Sequence, residues 1–306
     1  MQERISPDRP RITPNVRTTD QAAVPEPWSG KGAPTATQSS PNLKMTDKNS
    51  SLPNVPKEVI AYHELTKHTP GQYAESLGYM DWANQPDPFR CYPGSRQTEL
   101  FFSASESGPG YLDAWNRHVP AAPISQNSLS RFFYYSMAIS AWKQIECAPP
   151  WSLRVNPSSG NLHPTESYLI TGPVEDIDAA IYHYQPYSHT LETCAVLPDR
   201  LWPSLEMSEN GFLVALSSIH WRGSWKYGVR GYRYCQHDVG HALGAMAFAC
   251  AGLGWDLHLL NLKQSVLTIL LGLDPKPSPE MEAADCLVWI SAGNTSPPRA
   301  AQLHPC

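Results

Sequence analysis

The segment NPSSGNLHPTES, Asn156 to Ser167, runs directly into ESYLIT, Glu166 to Thr171. The second string alternates apolar and polar residues, which predicts a strand. The first is a loop rich in small residues. Gly160 permits a positive φ or the close approach of another group. Ser158 and Ser159 add hydroxyls, and exposed backbone N–H groups of such a loop can line one side of a polar heterocycle. A plain turn has the same composition, so the residues alone leave both readings open.

The regular structure around this loop is mixed. Upstream, LSRFFYYSMAISAW, Leu129 to Trp142, spaces its apolar residues as a helix does, with Ser128 and Ser130 as candidate N-caps. Downstream, AAIYHYQPYSHTLETCAV reads as two short strands about a turn at Gln185–His189. GFLVALSSI, Gly211 to Ile219, reads as a buried strand. YCQHDVGHALGAMAFACAGLGW, Tyr234 to Trp255, predicts a long helix that stops at Gly252 or Gly254. DLHLLNL, QSVLTILLG and ADCLVWISAG follow as strand, short helix and strand. Interleaved helices and short strands predict an α+β or mixed α/β fold.

Three regions divide the 306 residues. Residues 1–56 hold nine prolines and almost no aliphatic periodicity, which predicts a disordered tail. Residues 57–124 form a proline- and aromatic-rich lead-in, beginning with a short helix and packing on the core. Residues 125–306 form the main domain. The net charge of −5 argues against a general attraction to nucleic acid. The seven cysteines are odd in number and scattered, with no Cys-x-x-Cys, as in a reducing compartment. The start lacks an apolar signal core, and no run of 18 apolar residues occurs, so a cytoplasmic protein without membrane spans is expected.

Two further motifs bear on chemistry. HDVGH, His237 to His241, spaces two histidines as zinc ligands are spaced on a helix. Asp238 stands where a zincin carries glutamate, so the reading is a polar N-terminal helical turn and no metal. HWRGSWKYGVRGYRY, His220 to Tyr234, sets Arg222, Lys226, Arg230 and Arg233 among five aromatics. Such a mixture can stack on nucleic-acid bases. In an acidic chain it suits one phosphorylated cofactor better, with arginine clamping phosphate and a desolvated lysine acting as a base.

NPSSGNLHPTESYLI resembles a loop-and-strand segment of the nitroreductase-like superfamily. AIYHYQPYSHTLE and WRGSWKYGVRGYRYCQHDVGHALGAMAFACAGLGW resemble two further blocks of its SagB-type, thiazole/oxazole-forming dehydrogenase branch. Together they span roughly Ser125 to Ala292. The resemblance implies an α+β, nitroreductase-like fold with a mixed or antiparallel central sheet flanked by helices. It implies FMN at a two-fold interface, hydride transfer through flavin N5, and NAD(P)H as a candidate electron donor. The flavin-facing loop would be Pro157, Ser158, Ser159, Gly160 and Asn161, with Arg131 and Arg222 as further cofactor contacts. Lys226 and Tyr227 would be the catalytic pair, with Arg222 and Arg230 flanking the lysine. The substrate would be a small molecule or a modified peptide. The helix from Asp238 to Gly252 would be the interface helix, with Ala242, Ala245 and Ala249 on its free face, in a homodimer or a pairing with a homologous chain. The family's usual Arg-x-Ser phosphate clamp is replaced by Ser128, Ser130 and Arg131, and only Arg299 follows the final strand. The lead-in resembles the amino half of longer tandem members. A flavin-poor half-domain that supports a partner is therefore the alternative expectation.

Overall fold

A computed structural model describes residues 56–101, 108–146, 149–273, 278–293 and 295–298. The expected tail lies outside these residues but for Pro56, and Arg299 lies outside them as well.

The chain enters through helix α1 (Lys57–Thr66), an extended stretch, a short strand β1 (Gln97–Glu99) and one helical turn, α2 (Tyr111–Trp115). Helix α3 spans Gln126–Ser136. Its N-cap is Ser125, earlier than the two serines expected from the sequence. The Ser125 hydroxyl accepts the Ser128 N–H and the Ser128 hydroxyl accepts the Ser125 N–H, a reciprocal capping box. The helix also stops earlier than its periodicity predicts. Ile139–Lys143 instead forms strand β2, which pairs antiparallel with β3 (Trp151–Arg154) as a separate two-stranded sheet.

The main sheet then builds from β4 (Thr165–Thr171), β5 (Ala180–Gln185) and β6 (Thr190–Val196). After the turn α4 (Leu201–Ser204) it adds β7 (Gly211–Ser218). Helices α5 (His220–Tyr227) and α6 (Gly231–Leu253) follow, then β8 (Trp255–Leu260), α7 (Gln264–Leu270) and β9 (Ala283–Ala292). The seven strands lie in the order β1-β6-β5-β4-β7-β9-β8, and every neighbouring pair is antiparallel. This is an α+β architecture with a large antiparallel sheet flanked by helices. Hairpins of this kind need only short turns, and the expected turn between β5 and β6 is there, with His189 at φ 54.

Period-two alternation divides the strand residues between the two faces. Leu169, Tyr182, Tyr184, Phe212, Val214, Val288 and Ile290 face α3 and α6 and pack with Phe132, Phe133, Val239, Met246 and Leu253. Tyr168, Ile170, Ile181, Leu213, Ala215 and Trp289 belong to a second cluster with Trp202 and Leu267. Beside that second cluster, Glu166, His183, Glu192 and Arg222 are buried polar residues.

Helix α6 begins one turn earlier than expected and closes at Gly254 in the left-handed conformation. Its small residues lie on both sides. Ala242 and Ala249 are buried in the core and Ala245 is half-buried, so they do not make the free face expected from the sequence. The exposed stripe is instead Gly240, Gly244, Ala247 and Phe248, with Phe248 68% exposed. A side chain added at Gly240 or Gly244 would meet nothing within 4 Å. Among the described residues no helix is long and apolar enough to cross a membrane.

Candidate functional site

The site forms where the Asn156–Ser167 loop meets α5 and α6. Gly160 has φ 65 and ψ 10, a left-handed conformation. A Cβ there would lie 2.5 Å from the Tyr227 hydroxyl and 3.1 Å from Lys226 Nζ. Glycine is therefore required twice at this position, by backbone angle and by close approach. Asn161 and His163 also have positive φ, at 61 and 48. The Asn161 side-chain amide donates to the Ser152 carbonyl, which holds the turn against β3.

Asp238 holds the loop from below. Its carboxylate accepts the Ser159 N–H at 3.0 Å, the Ser159 hydroxyl at 3.1 Å and the Ser158 hydroxyl at 2.9 Å. Ser158 Oγ in turn accepts the His163 N–H at 2.8 Å. Burial pushes the Asp238 carboxyl above its ordinary range, while these serine hydrogen bonds pull it down. Because α6 starts at Gly231, Asp238 sits in the helix body and not in its first turn. The sequence separates the two groups by 79 residues or more and carries no sign of the contact.

Lys226 and Tyr227 end α5, and the helix breaks at Gly228. Helices α5 and α6 then touch backbone to backbone, since a Cβ at Gly231 would lie 2.5 Å from the Ser224 nitrogen. Lys226 Nζ lies 5.7 Å from the centroid of the Tyr227 ring. Arg230 lies over the same ring at 5.9 Å and over Tyr234 at 5.7 Å. Burial raises the Tyr227 phenol above its ordinary pKa, Tyr234 and Asp238 add to this, and Arg230 offsets it in part. Tyr227 is thus a hydrogen-bond donor at neutral pH.

The lead-in builds the wall beside this pair. The Tyr62 hydroxyl donates to the Val229 carbonyl at 2.9 Å and accepts the Arg233 N–H at 3.0 Å. The Trp225 indole donates to the Asp81 carbonyl at 2.8 Å. A recess of about 280 Å³ opens here, lined by Leu65, Glu75, Leu77, Tyr227 and Arg230 among others. A larger cavity, about 680 Å³, opens between β6 and α7, and no residue of the loop lines it.

The structure thus brings Ser158, Ser159, Gly160 and Asn161 together with Lys226 and Tyr227. Pro157 and Gly160 are exposed on the outer edge of the loop. Arg222 points into the protein. It is 1% exposed and donates to Glu166 at 2.7 Å, to Glu280 at 2.9 Å and to the His163 carbonyl at 2.9 Å. Arg131 is half-buried on α3. The aromatic-basic run is not one continuous exposed face, because Arg222 and Trp225 are buried. His237 and His241 are exposed on α6, and among the described residues no three or more His, Cys, Asp or Glu side chains are placed to hold a metal ion.

For FMN, the space on the Cβ side of Gly160 is taken by the Tyr227 hydroxyl and the Lys226 side chain, so a polar ring would lie along the exposed edge of the loop beside these two groups. The phosphate end is not furnished by Arg222, whose donors are engaged inside the protein.

No family model and no curated protein matches this chain. Solved structures do. A protein from Anabaena variabilis, provisionally assigned as a nitroreductase, superposes with a TM-score of 0.58 at 23% identity. The match covers 80% of this chain and 52% of that one, so the chain spans about half the length of that relative. A second protein provisionally assigned as a nitroreductase, from Ralstonia eutropha, gives a TM-score of 0.48 at 16% identity over 67% of this chain and 93% of its own. The Escherichia coli microcin synthetase McbBCD complex, solved with truncated pro-MccB17 bound, gives 0.45 at 18% identity over 81% and 86%. The first of these superpositions shows a nitroreductase-like fold.

Proposed function

We propose that the chain is an FMN-dependent oxidoreductase subunit of the SagB-type, thiazole/oxazole-forming dehydrogenase branch. The observation that carries this reading is the placement of exposed, left-handed Gly160 against Lys226 Nζ and the Tyr227 hydroxyl. FMN, when bound, supplies a hydride acceptor or donor at N5. The loop Pro157–Asn161 presents its backbone to the ring, and Asp238 fixes that backbone from the opposite side. Lys226 removes or returns the substrate proton. Tyr227 donates a hydrogen bond to the same reacting group. The recess between the lead-in and Tyr227 admits the substrate, a small molecule or a segment of a modified peptide. NAD(P)H is the proposed reductant where the reaction runs as a reduction.

The exposed stripe of α6 suits assembly, since the open space beside Gly240 and Gly244 lets a second helix approach closely. The partner is a second copy or a homologous nitroreductase-like chain, and it would supply the phosphate contacts that Arg222 does not.

A second reading has its own support. With Arg222, Ser158 and Ser159 engaged inside the protein, the chain is suited to be a flavin-poor scaffold subunit. Purification decides between the two. The enzyme reading expects visible flavin absorbance and FMN release on denaturation. Absence of FMN, with excess cofactor and a homologous partner chain supplied, favours the scaffold.

A further inference from the structure

We infer that His183 is a doubly protonated imidazolium clamped between Glu166 and Glu192, and that through Glu166 and Arg222 it positions the Gly160 loop against the helix that carries Lys226. The inference concerns the chain alone and stands whether or not flavin binds.

The geometry comes first. His183 Nε2 lies 3.0 Å from Glu166 Oε2, and Nδ1 lies 2.9 Å from Glu192 Oε2. His183 is 0% exposed and both glutamates are 1% exposed. The cross-strand register accounts for one contact, since His183 on β5 stands opposite Glu192 on β6. An ionised carboxylate only accepts hydrogen bonds, and a neutral imidazole donates only one. Two facing carboxylates therefore require two ring N–H groups. Glu166 stays ionised because Arg222 Nη1 lies 2.7 Å from its other oxygen. Glu192 already accepts the Tyr92 N–H at 3.2 Å. The Tyr92 and Tyr168 rings lie 5.2 Å and 5.3 Å from the imidazole and close the other sides.

The neighbouring charges are paired elsewhere. Arg90 pairs with Glu282 at 2.8 Å, Arg222 with the partly exposed Glu280 at 2.9 Å, and Arg154 interacts with Glu166. A neutral His183 ring would leave one of the two buried carboxylate oxygens that face it without a donor, which is costly. Burial opposes the charge on the ring, but the hydrogen bonds to Glu166 and Glu192, with the charges of Glu166 and Glu282 adding, outweigh it and raise the pKa.

The positioning role follows from the chain path. Arg222 Nη1 holds both Glu166 and the His163 carbonyl, at 2.7 Å and 2.9 Å. His163 closes the Gly160 loop, and Arg222 lies one turn before Lys226 on α5. The imidazolium fixes the carboxylate that fixes the guanidinium that spans both parts of the site.

A raised folded-state pKa stabilises below the unfolded value, about 6.5, and that stability is lost as pH rises through the folded value. The test is a pH series on histidine-ring ¹⁵N-labelled protein. One ring, His183, should keep both nitrogens protonated above the ordinary histidine midpoint of about 6.5. The amide resonances of Gly160 and Lys226 should move along the His183 midpoint. A Glu166→Gln variant should speed hydrogen exchange in the loop and α5 by about tenfold or more, with α3 unchanged. A His183 ring that has lost one nitrogen proton at or below about 6.5 overturns the imidazolium. Gly160 and Lys226 resonances that ignore the His183 titration overturn the positioning role, as does exchange in Glu166→Gln that rises equally across the fold.

Discussion

The Asp238 carboxylate and the Ser159 N–H, 3.0 Å apart, join a surface loop to the body of the longest helix. This contact sets the height of the loop over α6, and the serine hydroxyls reinforce it. Replacing Asp238 by alanine removes a buried acceptor from three donors. We expect a loss of about 1 to 3 kcal/mol in stability, read from denaturant unfolding. Asp238→Asn keeps one acceptor and should lose less. A change within about 0.5 kcal/mol for the alanine variant, the size usual for featureless surface sites, would show that the loop is held elsewhere.

Gly160 allows a graded test. Gly160→Ala adds a methyl that must displace the Tyr227 hydroxyl, and its left-handed φ costs about 1 to 2 kcal/mol. Gly160→Val adds a β-branched side chain and should cost more. Under the proposed function, bound FMN falls in the order glycine, alanine, valine. Equal flavin content in all three would remove the loop from the cofactor site.

Lys226→Met should leave the fold and flavin content intact, since the stem still packs. If lysine is the base, turnover drops by about 10²- to 10⁴-fold. Tyr227→Phe removes only a hydrogen-bond donor and should lower turnover less. Turnover of Lys226→Met at the wild-type rate would dismiss the base assignment.

Gly244 tests the free face of α6. Because the space beside it is open in the isolated chain, Gly244→Leu should raise monomer stability by about 0.5 to 1 kcal/mol through helix propensity. In an assembly the same leucine would separate the two helices. Sedimentation should show wild-type dimers or mixed pairs and a monomeric variant. A wild type that is monomeric at micromolar concentration contradicts the interface.

Acid should loosen the loop before the rest of the fold. Burial, with Arg154 adding, depresses the His163 ring to about 3. Burial opposes ionisation of Glu166, but Arg222 and His183 prevail and hold it at about 2. Both folded values lie below the unfolded ones, so the unfolded chain binds more protons and stability falls with falling pH. The His163 contribution is lost from about 6.5 downward and that of Glu166 from about 4.3 downward. His163→Asn, which suits the positive φ at that position, should flatten the upper part of this decline in a pH series of thermal melts.

Strands were the most legible part of the sequence. β4, β5, β6 and β7 announce themselves through alternation or continuous apolar runs, and Gly254 marks the end of α6. The free face of α6 was not legible. Alanine and glycine occupy nearly every side of that helix, so periodicity carries no contrast, and only packing against α3 and the sheet selects which small residues remain outside. Arg222 misled for a related reason. An arginine among aromatics and cations reads as a phosphate ligand until Glu166 and Glu280, distant in sequence, claim its guanidinium. Helix α5 and strand β3 carry no clear signal because tryptophan and tyrosine suit either element and the segments are short, while β2 reads as a continuation of helix α3. The Gly160 loop was legible as a loop, but its contact with Asp238 depends on the tertiary fold alone.

The buried contact of His183 with Glu166 and Glu192 restricts how this protein can change over generations. Replacing one of the three by an apolar residue leaves a donor or an acceptor unpaired in the interior, whereas exchanges made together keep the hydrogen bonds matched. Drift at positions 166, 183 and 192 should therefore be concerted, with loss of the histidine accompanied by loss of one of its acids. Lineages that keep the histidine should keep both glutamates, even where the surface around them has diverged beyond recognition.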